Sequence, residues 1–279
     1  MYKTIVVHVD GSTHQASRLR AAALLASTFD AHLIGSAVTG LSWANYAMLA
    51  GAVTPGLIDE TFGAIRAAAR EHLALFEEQA GGLGVTSIET RLIEDQAGRA
   101  LLLQARFADL IVLGQDNIAD PARPGHTRGL PERVVLEGAR PVLVVPDGYA
   151  GQPLDGTVVV GWDGSVPALR AVAGALPLLQ RARTVRLVLV NPQHEPLLDQ
   201  AQPGADMATY LARHGVTVDV VVEHAADGAG EVLLARAEAE GAGLIVAGAF
   251  GHARYREWVL GGATRDLLER ARVPVLLAH

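Results

Sequence analysis

The chain has 279 residues, half of them hydrophobic but only 5% aromatic, with a formal charge of −7 and no cysteine. A core built mainly of Ala, Val and Leu at that length suits parallel strands covered by helices, in two domains rather than one. The charge argues against a generic nucleic-acid surface, the missing cysteines exclude disulfides, thiolate zinc and Cys nucleophiles, and no apolar run approaches the roughly 18 residues that cross a bilayer.

Residues 1–10 read as a strand rather than a signal peptide, so a soluble cytoplasmic protein is expected. Thr4–Val9 is an apolar run closed by Asp10-Gly11-Ser12, and residues 13–28 have helical periodicity with Ala16, Leu19, Ala23 and Leu24 on one stripe. Residues 31–38 form a second strand, 42–55 a loop carrying Trp43, Tyr46 and Met48, and 57–80 a long helix. Strands at 85–92, 110–114 and 141–145 follow, separated by helices at 97–107 and 130–137. The Gly- and Pro-rich stretch 147–153 reads as a linker, giving domains over 1–147 and 154–279. Beyond it the order recurs, with strands at 157–162, 184–190, 217–223, 244–248 and 273–278. Helices lie between them at 167–180, 205–214, 230–240 and 263–270.

The recurrence is an internal duplication. Asp10-Gly11-Ser12 and Asp163-Gly164-Ser165 lie 153 residues apart, while the strands ending at Gly114 and Gly248 are offset by 134 and those beginning at Pro141 and Pro274 by 133. Anchors in the same order at a slowly falling offset mark two copies of one unit. The first copy carries about 20 extra residues, nearly all before its fourth strand and mostly in its long helix. Five strands alternating with four helices, joined by right-handed crossovers, make an α/β fold: two tandem, doubly wound five-stranded parallel-sheet domains. Ligands of such sheets sit beyond the carboxyl ends of the strands, where Asp10, Gly114, Asp163 and Gly248 all fall.

One stretch is built for a ligand. The strand ending at Gly248 feeds a loop punctuated by Gly251, and Gly262-Ala263-Thr264 opens a helix with Leu267, Leu268 and Ala271 on its apolar side. Glycines let backbone N–H groups approach an anion, and a helix N-terminus adds unpaired N–H groups and partial positive charge. Tight strand–helix packing is the alternative use of such glycines, and Asp163-Gly164-Ser165 reads equally as a turn with a helix cap.

Val160-Gly161-Trp162-Asp163-Gly164-Ser165, the run from Gly248 through Gly251 to Gly261-Gly262-Ala263-Thr264, and the closing Val273-Pro274-Val275 together resemble the universal stress protein family, in two copies over essentially the whole chain. The resemblance implies a nucleotide-binding α-hydrolase-like fold of Rossmann type. Nucleotide-binding members carry Gly-x2-Gly-x9-Gly followed by Ser or Thr; Gly248, Gly251 and Gly261 match, whereas Gly262 stands where the hydroxyl belongs and Thr264 supplies the next one. By similarity ATP or a related adenine nucleotide, with Mg²⁺ as a possible companion, lies with its phosphates over Gly248, Gly251, Gly261, Gly262, Ala263 and Thr264. Asp163 would face the ribose or adenine, and Val190 and Asn191 the base, while Arg254, with His252 and Arg256, is either a loop cation turned in toward the phosphates or part of a solvated loop surface. A hydroxyl on a charged phosphate is worth about 1.5–3 kcal/mol, so its loss weakens binding about 10- to 100-fold.

The first copy departs further. Gln115, Asp116, Asn117 and Asp120 follow Gly114 without a second glycine, and Arg128 and Pro131 replace Gly261 and Thr264, which disfavours a polyphosphate. The chain has no HExxH, CxxC, GxSxG or Gly-x4-Gly-Lys-Ser/Thr motif. No general base is thus evident, and the resemblance implies a non-catalytic or very slow regulator that binds nucleotide in its second half, as a homodimer with an unknown protein partner. Its first half either pairs with the second through their last strands or holds a smaller ligand under the Trp43–Met48 loop. A ligand-free dimeric scaffold is the alternative, and slow hydrolysis through Asp163 and Mg²⁺ the third reading.

Overall fold

A computed structural model describes residues 1–42, 45, 46, 48, 55–116, 127–195, 198, 201–226, 228–251 and 262–279. The strands are β1 (Thr4–Val9), β2 (His32–Val38), β3 (Ile88–Ile93), β4 (Leu110–Gly114), β5 (Val142–Val145), β6 (Thr157–Gly161), β7 (Thr184–Val190), β8 (Asp219–Glu223), β9 (Leu244–Gly248) and β10 (Val275–Ala278). They form one sheet in the order β3-β2-β1-β4-β5-β10-β9-β6-β7-β8. Every pairing is parallel except β5 with β10, where Leu143 faces Leu276. The two halves are thus joined through their last strands, the pairing that the resemblance implied. Because that seam is antiparallel, the carboxyl ends of the strands point to opposite ends of the sheet in the two halves.

The helices are α1 (Gln15–Phe29), α2 (Pro55–Gly82), α3 (Ala97–Ala105), α4 (Leu130–Glu137), α5 (Val166–Leu179), α6 (Ala205–Arg213), α7 (Ala229–Ala239) and α8 (Gly262–Arg270). Side chains alternate across each strand, so Ile5, Val7 and Val9 join α1, α2, α5 and α6 in one core while Val6 joins α3, α4, α7 and α8 in the other. Both cores run unbroken across the seam. The extra length of the first copy sits in α2, whose 28 residues replace the nine of α6. Tyr2 Oη donates to Gly174 O (2.7 Å) and Gln115 Nε2 to Ala271 O (2.7 Å), fastening one half to the other.

The strands expected at 85–92 and 217–223 begin later, at Ile88 and Asp219. Gly84-Val85 and Gly215-Val216, just before them, end helices: both glycines are left-handed, and Val85 N and Val216 N donate back to Ala80 O and Leu211 O. The two valines are buried as the apolar contact that closes a helix C-terminus. No helix among the described residues is long and apolar enough to cross a membrane.

Candidate functional site

In the second half the Asp-Gly-Ser turn behaves as turn chemistry dictates. Ser165 N donates to Asp163 Oδ1 (2.9 Å), and Ser165 Oγ accepts from Ala168 N (3.2 Å), capping α5. That cap fixes the Asp163 carboxylate at the carboxyl end of β6. Gly248 abuts the Ala168 backbone at the start of α5. At Gly251 a Cβ would fall 2.9 Å from Ser165 Oγ and 3.2 Å from Asp163 Oδ2. Neither glycine has a positive φ; the residue between them that does is Phe250, at 61°. The described glycines of the loop therefore serve close approach to the α5 turn, and that packing carries Gly251 against Asp163.

Across the opening, α8 begins at Gly262. Thr264 is 3% exposed, and its Oγ1 accepts from Phe250 N (3.1 Å), so this hydroxyl holds the loop while its own hydrogen remains to donate. Gly262 is exposed, and among the described residues a Cβ there would meet nothing within 4 Å. Gly230 lets α7 come against Ala263.

Between these elements lies a cleft of about 180 Å³. Of the residues expected from the sequence, it brings together Asp163, Val190, Gly248, Gly251, Gly262, Ala263 and Thr264. Asn191 is placed otherwise. Its side chain bonds Ala225 N and O, its own N–H reaches Glu223 O and its carbonyl accepts from His194 N, so it clamps the ends of β7 and β8 rather than lining the cleft. Arg254 and Gly261 lie outside the described residues. Trp162, Glu195, Phe250 and Leu233 also line the cleft. Trp162 and Phe250 stand beside motif residues in the sequence, whereas nothing in the sequence around Glu195 or Leu233 signals the site.

The first half is built differently at the same edge. Arg18 takes the position that Ala171 holds in the second copy, and its guanidinium grips Asp10, one bond being 3.2 Å, and reaches Ser12 Oγ (3.1 Å). Burial alone would raise the Asp10 carboxyl. The charges of Arg18 and His8, with hydrogen bonds from Arg18 and Ser12, instead hold it well below the usual carboxylate range. His8, 2% exposed, replaces Gly161, and the His72 imidazole of α2 lies against Gly11. The acidic loop supplies its own anion: Asp116 Oδ2 accepts from Gly129 N at 2.6 Å, at the left-handed N-cap of α4. Gly129 is the counterpart of Gly262.

The second-half cleft combines aliphatic walls from Val188, Val190 and Leu233 with two carboxylates, Asp163 and Glu195, and a helix N-terminus. Such a surface suits a flat apolar ring, hydroxyl donors for the carboxylates and an anion at the helix start. The volume falls below the roughly 300–1,000 Å³ of typical ligand pockets. Among the described residues no group of three or more His, Asp or Glu could hold a metal ion.

The model of the universal stress protein family matches residues 1–146 and 156–279. A universal stress protein from Synechocystis is 28% identical over 176 residues, covering 60% of this chain and 57% of the relative. The chain thus spans less than two thirds of that curated relative. A universal stress protein from Archaeoglobus fulgidus superposes with a TM-score of 0.70 at 16% identity, covering 99% of this chain and 97% of the other. A functionally unknown protein from Pseudomonas aeruginosa gives 0.63 at 16% identity, over 99% and 92%. These two likenesses show a shared fold.

Proposed function

The chain belongs to the universal stress protein family, and from that premise we propose that it is a regulator binding ATP or a related adenine nucleotide in its second half, with turnover absent or very slow. The supporting observation is convergence: Asp163, Gly251 and the start of α8 meet on one cleft at the carboxyl edge of β6 and β9. Asp163 Oδ2 accepts from ribose hydroxyls, Val188, Val190 and Leu233 flank the base, and Gly251, Gly262 and Ala263 offer backbone N–H groups to the phosphates, with Arg254 and Gly261 completing the loop. Mg²⁺, where it accompanies the nucleotide, is held chiefly by the phosphates. The halves form two domains, 1–147 and 154–279, and the first serves as the structural partner.

Mass spectrometry of small molecules released on denaturing the purified protein tests this directly, followed by titration with millimolar ATP. Nucleotide near one per chain, or thermal stabilisation by ATP, is expected. Gly251→Val drives its side chain into Ser165 and Asp163, collapses the floor of the cleft and should abolish binding; unaltered binding would remove the site assignment. A ligand-free scaffold is the second reading, favoured by the first half filling its own anion position with Asp116. An empty protein that ATP fails to stabilise would establish it.

A further inference from the structure

The entrance of the glycine loop is held from β10 as well as from α8. Ala249 N donates to Ala278 O (2.9 Å), and the next residue along, His279, turns its ring back so that Nδ1 lies 2.9 Å from Ala249 O. A carbonyl oxygen only accepts, so Nδ1 carries the proton, in the neutral ring and in the imidazolium alike. The His279 ring also meets Phe250 edge to face at 5.9 Å, and Arg170 Nη1 of α5 holds His279 O at 2.6 Å. What these contacts brace is a left-handed Phe250, a conformation that an L-residue adopts only at a cost.

We propose that His279 is a positioning residue for the nucleotide site: by bonding Ala249 O and packing on Phe250, it keeps Phe250 left-handed and thereby sets Gly251 against Asp163. The inference rests on the nucleotide reading of the cleft. Phe250 is the hinge of the argument. With the brace it turns the chain toward the Asp163–Ser165 turn; without it the residue relaxes toward an extended conformation and Gly251 leaves the floor of the cleft. The ligand then binds only the fraction of molecules in which the turn has re-formed, and apparent affinity falls by that fraction.

Three variants separate the two contacts. His279→Asn keeps a donor in the place of Nδ1 and loses the ring, His279→Phe keeps a ring and loses the donor, and His279→Ala loses both. ATP dissociation constants and ligand-free urea midpoints are measured for each. The expected result is a loss of about three- to tenfold in ATP affinity for His279→Ala, the worth of one hydrogen bond, shared by His279→Phe and largely recovered in His279→Asn. A merely structural role would lower the urea midpoint and leave the dissociation constant unchanged, and that result would overturn the proposal. Hydrogen exchange of the Ala249, Phe250 and Gly251 amides in ligand-free protein supplies a readout independent of nucleotide. Faster exchange confined to those amides in His279→Ala is expected, and unchanged exchange overturns the brace. If the wild type binds no ATP, the reading of the cleft fails, and exchange alone decides whether His279 holds the loop.

Discussion

Gly262→Ser puts the reading of the cleft at greatest risk. Gly262 is the first residue of α8 and exposed, and among the described residues a Cβ there would meet no atom within 4 Å. A serine is therefore accepted without strain, and its hydroxyl stands beside the N–H groups that face the proposed phosphates. A hydrogen bond to a charged group is worth about 1.5–3 kcal/mol, so ATP affinity should rise by about 10- to 100-fold. Replacing a helical glycine also stabilises by a few tenths of a kcal/mol, which Gly262→Ala reproduces without the hydroxyl. Calorimetric titration of both variants with ATP, beside their ligand-free melting temperatures, separates the effects. Gly262→Ala should melt slightly higher and bind as the wild type does, while Gly262→Ser should bind more tightly. Equal affinities in all three proteins would refute the placement of phosphate at the start of α8.

Removing the built-in anion of the first half tests its structural role: Asp116→Ala should cost about 1 kcal/mol, as the loss of a helix cap does, without raising ATP stoichiometry above one per chain. A second bound nucleotide would contradict the assignment of that half. Asp10→Asn leaves the buried Arg18 without its charge partner and should cost about 3–5 kcal/mol in chemical denaturation. The pH dependence follows from the depressed Asp10 pKa. Its stabilisation is complete above the unfolded-state carboxylate value near 4 and is lost progressively as pH falls from there toward the folded value. The wild type should consequently lose more unfolding free energy on acidification than Asp10→Asn, and parallel acid profiles would show that the pair is not what holds that end of β1.

The sequence made the fold legible because both local and global signals agree. β4 and β9 are short apolar runs, buried along nearly their whole length, that end in glycine, and the duplicated order left one arrangement to consider. The strand beginning near Val85 was obscured because a valine that closes a helix and a valine that opens a strand look alike in one dimension. At the candidate site, residue types were readable and contacts were not. Asp163 and Gly251 lie 88 positions apart, and only the packing of β6 beside β9 sets them together. Asn191 follows a strand like a base-contacting residue, yet its amide is consumed by Ala225, a partner 34 positions away. Arg18 looks like a surface residue of an amphipathic helix; that it is buried on Asp10 follows from its replacing an alanine of the second copy, a signal present in the duplication itself.

The seam explains why a second half that keeps the glycine loop retains a first half that departs from it. β10 is buried on both faces, with Val275, Leu276 and Leu277 at most 1% exposed, and its outer edge is covered only by β5. Separated from the first half, residues 154–279 would present that edge, together with the surfaces vacated by Tyr2 at Gly174 and by Gln115 at Ala271. An unpaired apolar edge recruits another strand. An antiparallel pair has two-fold symmetry, so β10 can pair with β10 of a second copy about Leu276, just as Leu276 now faces Leu143. The isolated second half should therefore be a dimer with its two clefts at opposite ends, as the halves of the whole chain are arranged. Light scattering across a range of protein concentrations checks this, with Leu276→Asp as the variant that breaks the edge. A folded, monomeric second half at high micromolar concentration would show that the seam is dispensable and that the first half is kept for another reason.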